Sequence, residues 1–295
     1  FLANEFRVAA DLQVLGEQVR RSSRRLADGL ATWVPRIVSP SGAVRIQATA
    51  GSGKTQLALR LLGDAAAASQ RSLYVCFNRS LADHMGRIAP PEAKVTSFHE
   101  LCVEHYTRQH GAPDFTRPSL FQTLTESYCA AAPARPPRYD LIIIDEGQDF
   151  EPDWVASLLP QLREDARLYV LEDDAQRLYE RDGFDLDGAV MLSCHDNFRS
   201  PRAICQVINA LRLSDRPVEG RSPYEGELPG FRSYADEHDL PVRTEQAVHD
   251  LIDRGIPLAE IVVLSGRGRA KSILQNADRL GRFAVKRFTG QYTPD

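Results

Sequence analysis

Short apolar runs alternate along the chain with stretches whose apolar positions recur every three or four residues. Residues 44–47, 72–77, 94–97, 141–144 and 167–171 carry strand character, and residues 54–68, 81–88, 99–109 and 154–162 carry helix character. The run Leu141-Ile142-Ile143-Ile144 has no polar position, as a strand covered on both faces requires. Strands alternating with helices predict an α/β fold, a parallel sheet flanked by helices on both sides. A second series begins near residue 189, with a strand at 190–192, a helix at 201–212, a strand at 261–264 and a helix at 270–280. Residues 130–138 and 214–234, rich in Pro, Gly and charge, read as connections. The expected division is a first domain over 1–188 and a partial second domain over 189–295.

Composition narrows the class without naming the chemistry. The chain has 295 residues, 43% of them hydrophobic and 26% charged, ordinary for a globular protein able to bury a sizeable core. No apolar run approaches the ~20 residues that cross a bilayer. The five cysteines are odd in number and form no C-x-x-C pair, which argues against a disulfide framework and a zinc site and points to a reducing, cytoplasmic setting. A first residue of Phe leads to the expectation of a longer polypeptide. Net charge is −4, yet Arg20, Arg21, Arg24 and Arg25 cluster near the start, and a second basic group includes Arg267, Arg269, Lys271 and Arg279. Such clusters serve either as solvated helix faces or as a track for phosphates.

The strand at 44–47 runs into Ala48-Thr49-Ala50-Gly51-Ser52-Gly53-Lys54-Thr55 and then a helix. This is the G-x-x-x-x-G-K-[ST] pattern with Ala48 at the first Gly. Glycines let successive N–H groups of residues 50–53 face an anion, and the helix N-terminus adds partial positive charge. Lys54 supplies a full charge for the β- and γ-phosphates of a nucleoside triphosphate, and Thr55 a hydroxyl for Mg²⁺. Asp145 and Glu146 close the apolar strand, where Asp145 would hold the metal and Glu146 would orient and deprotonate an attacking water. The plainer alternatives are a Gly-rich turn and two acids capping a helix.

Asp145-Glu146-Gly147-Gln148-Asp149 resembles the D-E-x-Q-D motif of superfamily 1 helicases of the UvrD/Rep type, and residues 48–55 resemble that family's A-G-A-G-S-G-K-T. Further matches follow in the family's order: Phe77-Asn78-Arg79, Ser97-Phe98-His99, Asp173-Asp174-Ala175-Gln176 through Tyr179, and Asn197-Phe198-Arg199-Ser200. The resemblance implies two RecA-like domains, the second incomplete, and ATP hydrolysis coupled to movement on single-stranded DNA, with RNA left open. It implies that Gln176 senses the γ-phosphate, that Phe198 stacks on adenine, and that Arg199 reaches across from the second domain as an arginine finger. It places Phe77, Asn78, Arg79, Phe98, His99 and Tyr179 along the nucleic acid, although Phe77 and Phe98 also suit a core. Glu172 stands where the family has Gly, and Arg181 where relatives often carry Trp. The family's later motifs have no match, so a partner expected for this segment is the remainder of the polypeptide beyond residue 295. Two other readings stay open: a nucleotide-dependent DNA-binding switch without unwinding, and, less supported, a small-molecule kinase.

Overall fold

The computed structural model describes residues 28–173, 184–265, 272–276 and 278–285. The chain divides into two compact units, residues 13–228 and residues 1–12 together with 229–295.

In the larger unit a short helix, α1 (Asp28–Trp33), precedes β1 (Ala43–Ala48), α2 (Lys54–Ala67), β2 (Ser72–Cys76), α3 (Arg79–Ile88), β3 (Lys94–Ser97) and α4 (Phe98–His110). There follow α5 (Leu120–Ala130), β4 (Tyr139–Asp145), α6 (Pro152–Leu158), β5 (Leu162–Glu172) and β6 (Val190–Cys194). A two-residue strand, β7 (Asp196–Asn197), then leads to α7 (Arg202–Ala210) and β8 (Glu219–Gly220). The main sheet has six strands in the order β3-β2-β4-β5-β1-β6, and every pair is parallel. The predicted α/β sheet is therefore present, a RecA-like P-loop fold with helices on both faces.

The strand alternation explains the two cores. Leu73, Val75, Ile142, Ile144, Leu168 and Val170 point to one face, against apolar residues of α4, α5 and α6. Tyr74, Cys76, Leu141, Ile143, Tyr169 and Leu171 point to the other, with α2 and α3 supplying Leu57, Leu61, Leu62 and Met85. Successive residues of β2 and β4 thus enter opposite cores, which is why these strands have no polar side.

Three differences from the sequence reading have physical causes. Val190–Cys194, read as opening a second domain, instead extends the first sheet, pairing along β1 from Val44↔Val190 to Ala48↔Cys194. Residues 120–130 form a helix whose Leu120, Leu124 and Tyr128, four apart, fill the first core. Residues 261–264, expected as a strand, pair with no strand among the described residues, and Val262 and Leu264 stand 75% and 88% exposed.

The smaller unit holds α8 (Asp239–Asp253), the single turn α9 (Ile273–Asn276), and an antiparallel pair of two-residue strands, β9 (Arg279–Leu280) and β10 (Phe283–Ala284). Part of the helix expected at 270–280 is thus a strand. Among the described residues no helix is long and apolar enough to cross a membrane.

Candidate nucleotide site

Parallel strands put their carboxyl ends on one edge of the sheet, the edge where α/β proteins place ligands. Here β1 delivers the Gly-rich loop, β4 delivers Asp145 and Glu146, and β5, lying between them, delivers Asp173. Gly51 and Gly53 hold φ of 78° and 102°, the left-handed region open to glycine, and Gly53 caps α2. Ser52 is fully buried, and its Oγ has no hydrogen-bond partner among the described residues. Lys54, only 11% exposed, folds back so that its Nζ donates to Ala48 O and Thr49 O and lies 3.5 Å from Asp173 Oδ2. Thr55 follows on the first turn of α2. A loop with an orphaned buried hydroxyl, left-handed glycines and a sequestered lysine fits the phosphates of a nucleotide, which would supply acceptors for the groups now turned inward.

Asp145 is buried. Its Oδ2 accepts from the Tyr74 hydroxyl and its Oδ1 from Glu146 N at 3.0 Å. Burial pushes its pKa up to about 6, against the opposing pull of the Tyr74 hydrogen bond. Glu146 adopts a left-handed φ of 54°, a costly conformation for a side chain with a Cβ. The sequence reading did not give Gln148 a role, and the structure does. Its Nε2 donates to Glu146 Oε2 at 2.7 Å and its Oε1 accepts from Asp173 N at 3.0 Å. One amide therefore fixes the Glu146 carboxylate and ties it to the end of β5. The signal was present as the Gln of D-E-x-Q-D.

Glu172, the departure at a family Gly, is explained by Arg45. The Arg45 Nε and Nη2 bond the two Glu172 oxygens at 2.7 and 2.9 Å, and Nη1 donates to Phe184 O at 2.8 Å. Glu172 is 1% exposed, so the pair is a buried, bidentate tie between β1 and β5. Gly147 makes room for it: a Cβ there would lie 2.7 Å from Val170 Cγ1 and 3.0 Å from Glu172 Cγ.

The Asn-Phe-Arg-Ser segment docks on the Gly-rich loop within the same compact unit. Phe198 N donates to Gly51 O at 3.0 Å, and Thr49 N donates to Cys194 O at 3.0 Å. Buried Asn197 accepts from Arg199 N at 3.0 Å and Ser200 N at 2.8 Å, clasping the turn. Arg199 therefore approaches the loop from the unit that carries it, which corrects the expectation of a residue reaching over from a second domain. A Cβ on Gly51 would lie 2.4 Å from Asn197 Oδ1 and 3.0 Å from Arg199 Cβ. Gly51→Ala must also bear a left-handed φ at about 1–2 kcal/mol, so nucleotide affinity is expected to fall at least about tenfold with the far-UV spectrum retained. Calorimetric titration with a non-hydrolysable nucleotide checks this.

The residues expected along nucleic acid separate into kinds. Phe98 is corrected: it is fully buried, stacked on Trp154 with centroids 4.8 Å apart, and belongs to the first core. It follows the helix cap Ser97, whose reciprocal bonds with Glu100 fix the start of α4 and turn the next side chain inward. Phe98→Ala should cost about 3–5 kcal/mol of stability, read by chemical denaturation, with no selective loss of DNA affinity in the folded fraction. Asn78 caps α3 by accepting from Ser80 N at 2.8 Å, and Arg79 lies 3.4 Å from Glu100. Phe77 and His99 are half-buried and meet edge to face at 5.5 Å, so both reach the surface. Gln176 and Tyr179 lie outside the described residues. Among the described residues no group of three or more His, Cys, Asp or Glu side chains could hold a metal.

The sheet order, the Gly-rich loop between β1 and α2, and the acidic end of β4 together define a P-loop nucleotide-binding protein. A family model described as AAA domain matches residues 35–182, and the chain belongs to that family. No curated protein matches the chain. Among solved structures, a DNA replication initiation factor aligns at 16% identity and a TM-score of 0.30, covering 72% of this chain and 55% of its own. AMPPCP-bound DnaA from Aquifex aeolicus aligns at 15% identity and a TM-score of 0.31 over the same shares. The chain thus spans about half the length of these structures.

Proposed function

We propose that this chain is the ATP-hydrolysing part of a DNA helicase or translocase that couples Mg-ATP hydrolysis to movement on single-stranded DNA. The observation that supports the reading is the backbone bond from Phe198 N to Gly51 O, which seats the turn bearing Phe198 and Arg199 against a loop suited to phosphates.

Residues 50–53 present backbone N–H groups to the phosphates, and Lys54 swings from Ala48 O toward them. Thr55 and Asp145 would hold Mg²⁺, which when bound neutralises phosphate charge and fixes the nucleotide. Glu146, held by Gln148, takes the proton of the attacking water. Arg199 counters the charge that develops on the transferred phosphoryl group. Phosphoryl transfer asks for such positioning and charge neutralisation more than for covalent chemistry. The link from Glu146 through Gln148 to Asp173 gives the hydrolytic carboxylate a mechanical connection to the segment that contains Gln176. Phe77, Arg79, His99 and Tyr179 are the nucleic-acid contacts of this reading, with Asn78 setting the helix that presents Arg79. The smaller unit is read as the beginning of a second RecA-like domain.

The test is ATP hydrolysis by the full-length protein with and without single-stranded DNA, alongside a strand-separation assay. Stimulation together with unwinding is expected. Stimulation without unwinding would assign the nucleotide-dependent switch instead, and indifference to both DNA and RNA would overturn the proposal.

A further inference from the structure

The edge of the sheet opposite the nucleotide site carries a second concave feature. Where β3 and β4 begin, α4, α5 and residues 131–139 enclose a cavity of about 340 Å³. Its polar lining is mostly cationic: Lys94, Arg108, Arg135 and Arg138 line it, with His105 and Tyr128, and among the described residues no acidic side chain does. The Glu104 carboxylate is shared between Lys94 at 2.6 Å and Arg108 at 3.0 Å. One carboxylate therefore sits against two of the cations, while Arg135 and Arg138 have no acidic partner among the ion pairs described.

Arg135 is held in place rather than free to swing. Its guanidinium lies 3.5 Å from the centre of the Tyr128 ring, and it donates to Tyr128 O and, at 3.4 Å, to Ser157 O. The Tyr128 hydroxyl in turn accepts from Gln161 Nε2 at 3.1 Å. Against this fixed wall, His105 Nε2 is buried with no hydrogen-bond partner among the described residues. Burial, joined by the positive charge of Arg135 and Arg108, holds the imidazole below its usual pKa. The cavity thus combines positive potential, a preorganised guanidinium and an imidazole ring set edge to face on Tyr128 at 5.7 Å. The guanidinium donors of Arg135 not used by the two carbonyls are the groups an oxyanion would meet in such a cationic hollow.

We propose that this cavity is a binding site for a small multivalent oxyanion, bearing phosphoryl or carboxylate groups, separate from the nucleotide site. Its volume, near the lower end of the ~300–1,000 Å³ typical of ligand pockets, suits an ion the size of pyrophosphate or citrate. Arg138 and Arg108 would close over the anion from the rim and Arg135 would contact it from the wall, with the His105 ring beside it.

The test uses the full chain carrying Lys54→Ala, so that the Gly-rich loop does not compete for phosphate. Inorganic pyrophosphate and citrate are titrated separately, by calorimetry and by NMR of the histidine rings. Saturable binding is expected, with the His105 ring resonances moving, and with affinity at least tenfold weaker once Arg108→Ala and Arg138→Ala are added. Arg108 is 63% exposed and Arg138 is exposed, so the fold should tolerate both changes. A preference for pyrophosphate assigns the phosphoryl class, and a preference for citrate assigns the carboxylate class. Binding of neither ion, an unchanged affinity in the double variant, or stationary His105 resonances would overturn the site.

Discussion

Glu146→Gln is expected to lower ATP turnover by about 10²–10⁴-fold, the span general-base catalysis contributes, while nucleotide affinity stays nearly unchanged. The substitution removes a proton acceptor and little else. Gln has the size of Glu, and its amide oxygen can still accept from Gln148 Nε2, which bonds Glu146 at 2.7 Å. Asp145 keeps the Tyr74 hydroxyl and the residue-146 N–H as donors, so the carboxylate proposed for the metal is undisturbed. The phosphate cradle lies on a different strand, at the end of β1. Single-turnover hydrolysis paired with equilibrium binding of a fluorescent nucleotide separates the two quantities. Turnover equal to the parent would remove Glu146 from the chemistry, and an equal loss of affinity would make it a binding residue.

Several of these features could be read in the sequence because they are local. The left-handed glycines at 51 and 53, the lysine and the hydroxyl that follow them, and the acids closing an apolar run each occupy a position that backbone geometry or charge dictates. The buried strands were legible for the same reason: β2 and β4 have no polar face to hide. The misreadings are non-local. Whether Val190–Cys194 joins β1 or opens another sheet is decided by pairing across well over a hundred residues, and both choices need the same apolar run. Glu172 looked like a defect in a motif until Arg45, on a neighbouring strand, supplied its partner. Phe98 sits in a matching motif, yet the capping box at Ser97 turns it inward, and a motif alone does not say which way a side chain points. Gln148 shows the reverse: its letter was visible, but its bond to Asp173 N depends on β5 lying beside β4.

Contacts distant in sequence also position Arg199. Asn197 accepts from the N–H groups of residues 199 and 200, and Phe198 N bonds Gly51 O, so the backbone that bears Arg199 is fixed to the phosphate loop. The side chain itself is exposed, free to turn toward a transferred phosphoryl group. A guanidinium in that role is worth about 10³–10⁵ in rate. Under the proposed function, Arg199→Ala should therefore lower ATP turnover by about 10³-fold or more, with a much smaller change in nucleotide affinity. Arg199→Lys should recover only part of the loss, because an ammonium keeps the charge but not the planar fork that meets two phosphate oxygens. Asn197→Ala offers the complementary test. It leaves the guanidinium intact and loosens the backbone beneath it, so turnover should fall while added salt or nucleotide fails to restore it. Full activity in Arg199→Ala would mean that the arginine finger, if the reaction uses one, comes from elsewhere, and that the docking of residues 197–200 serves only to hold the loop.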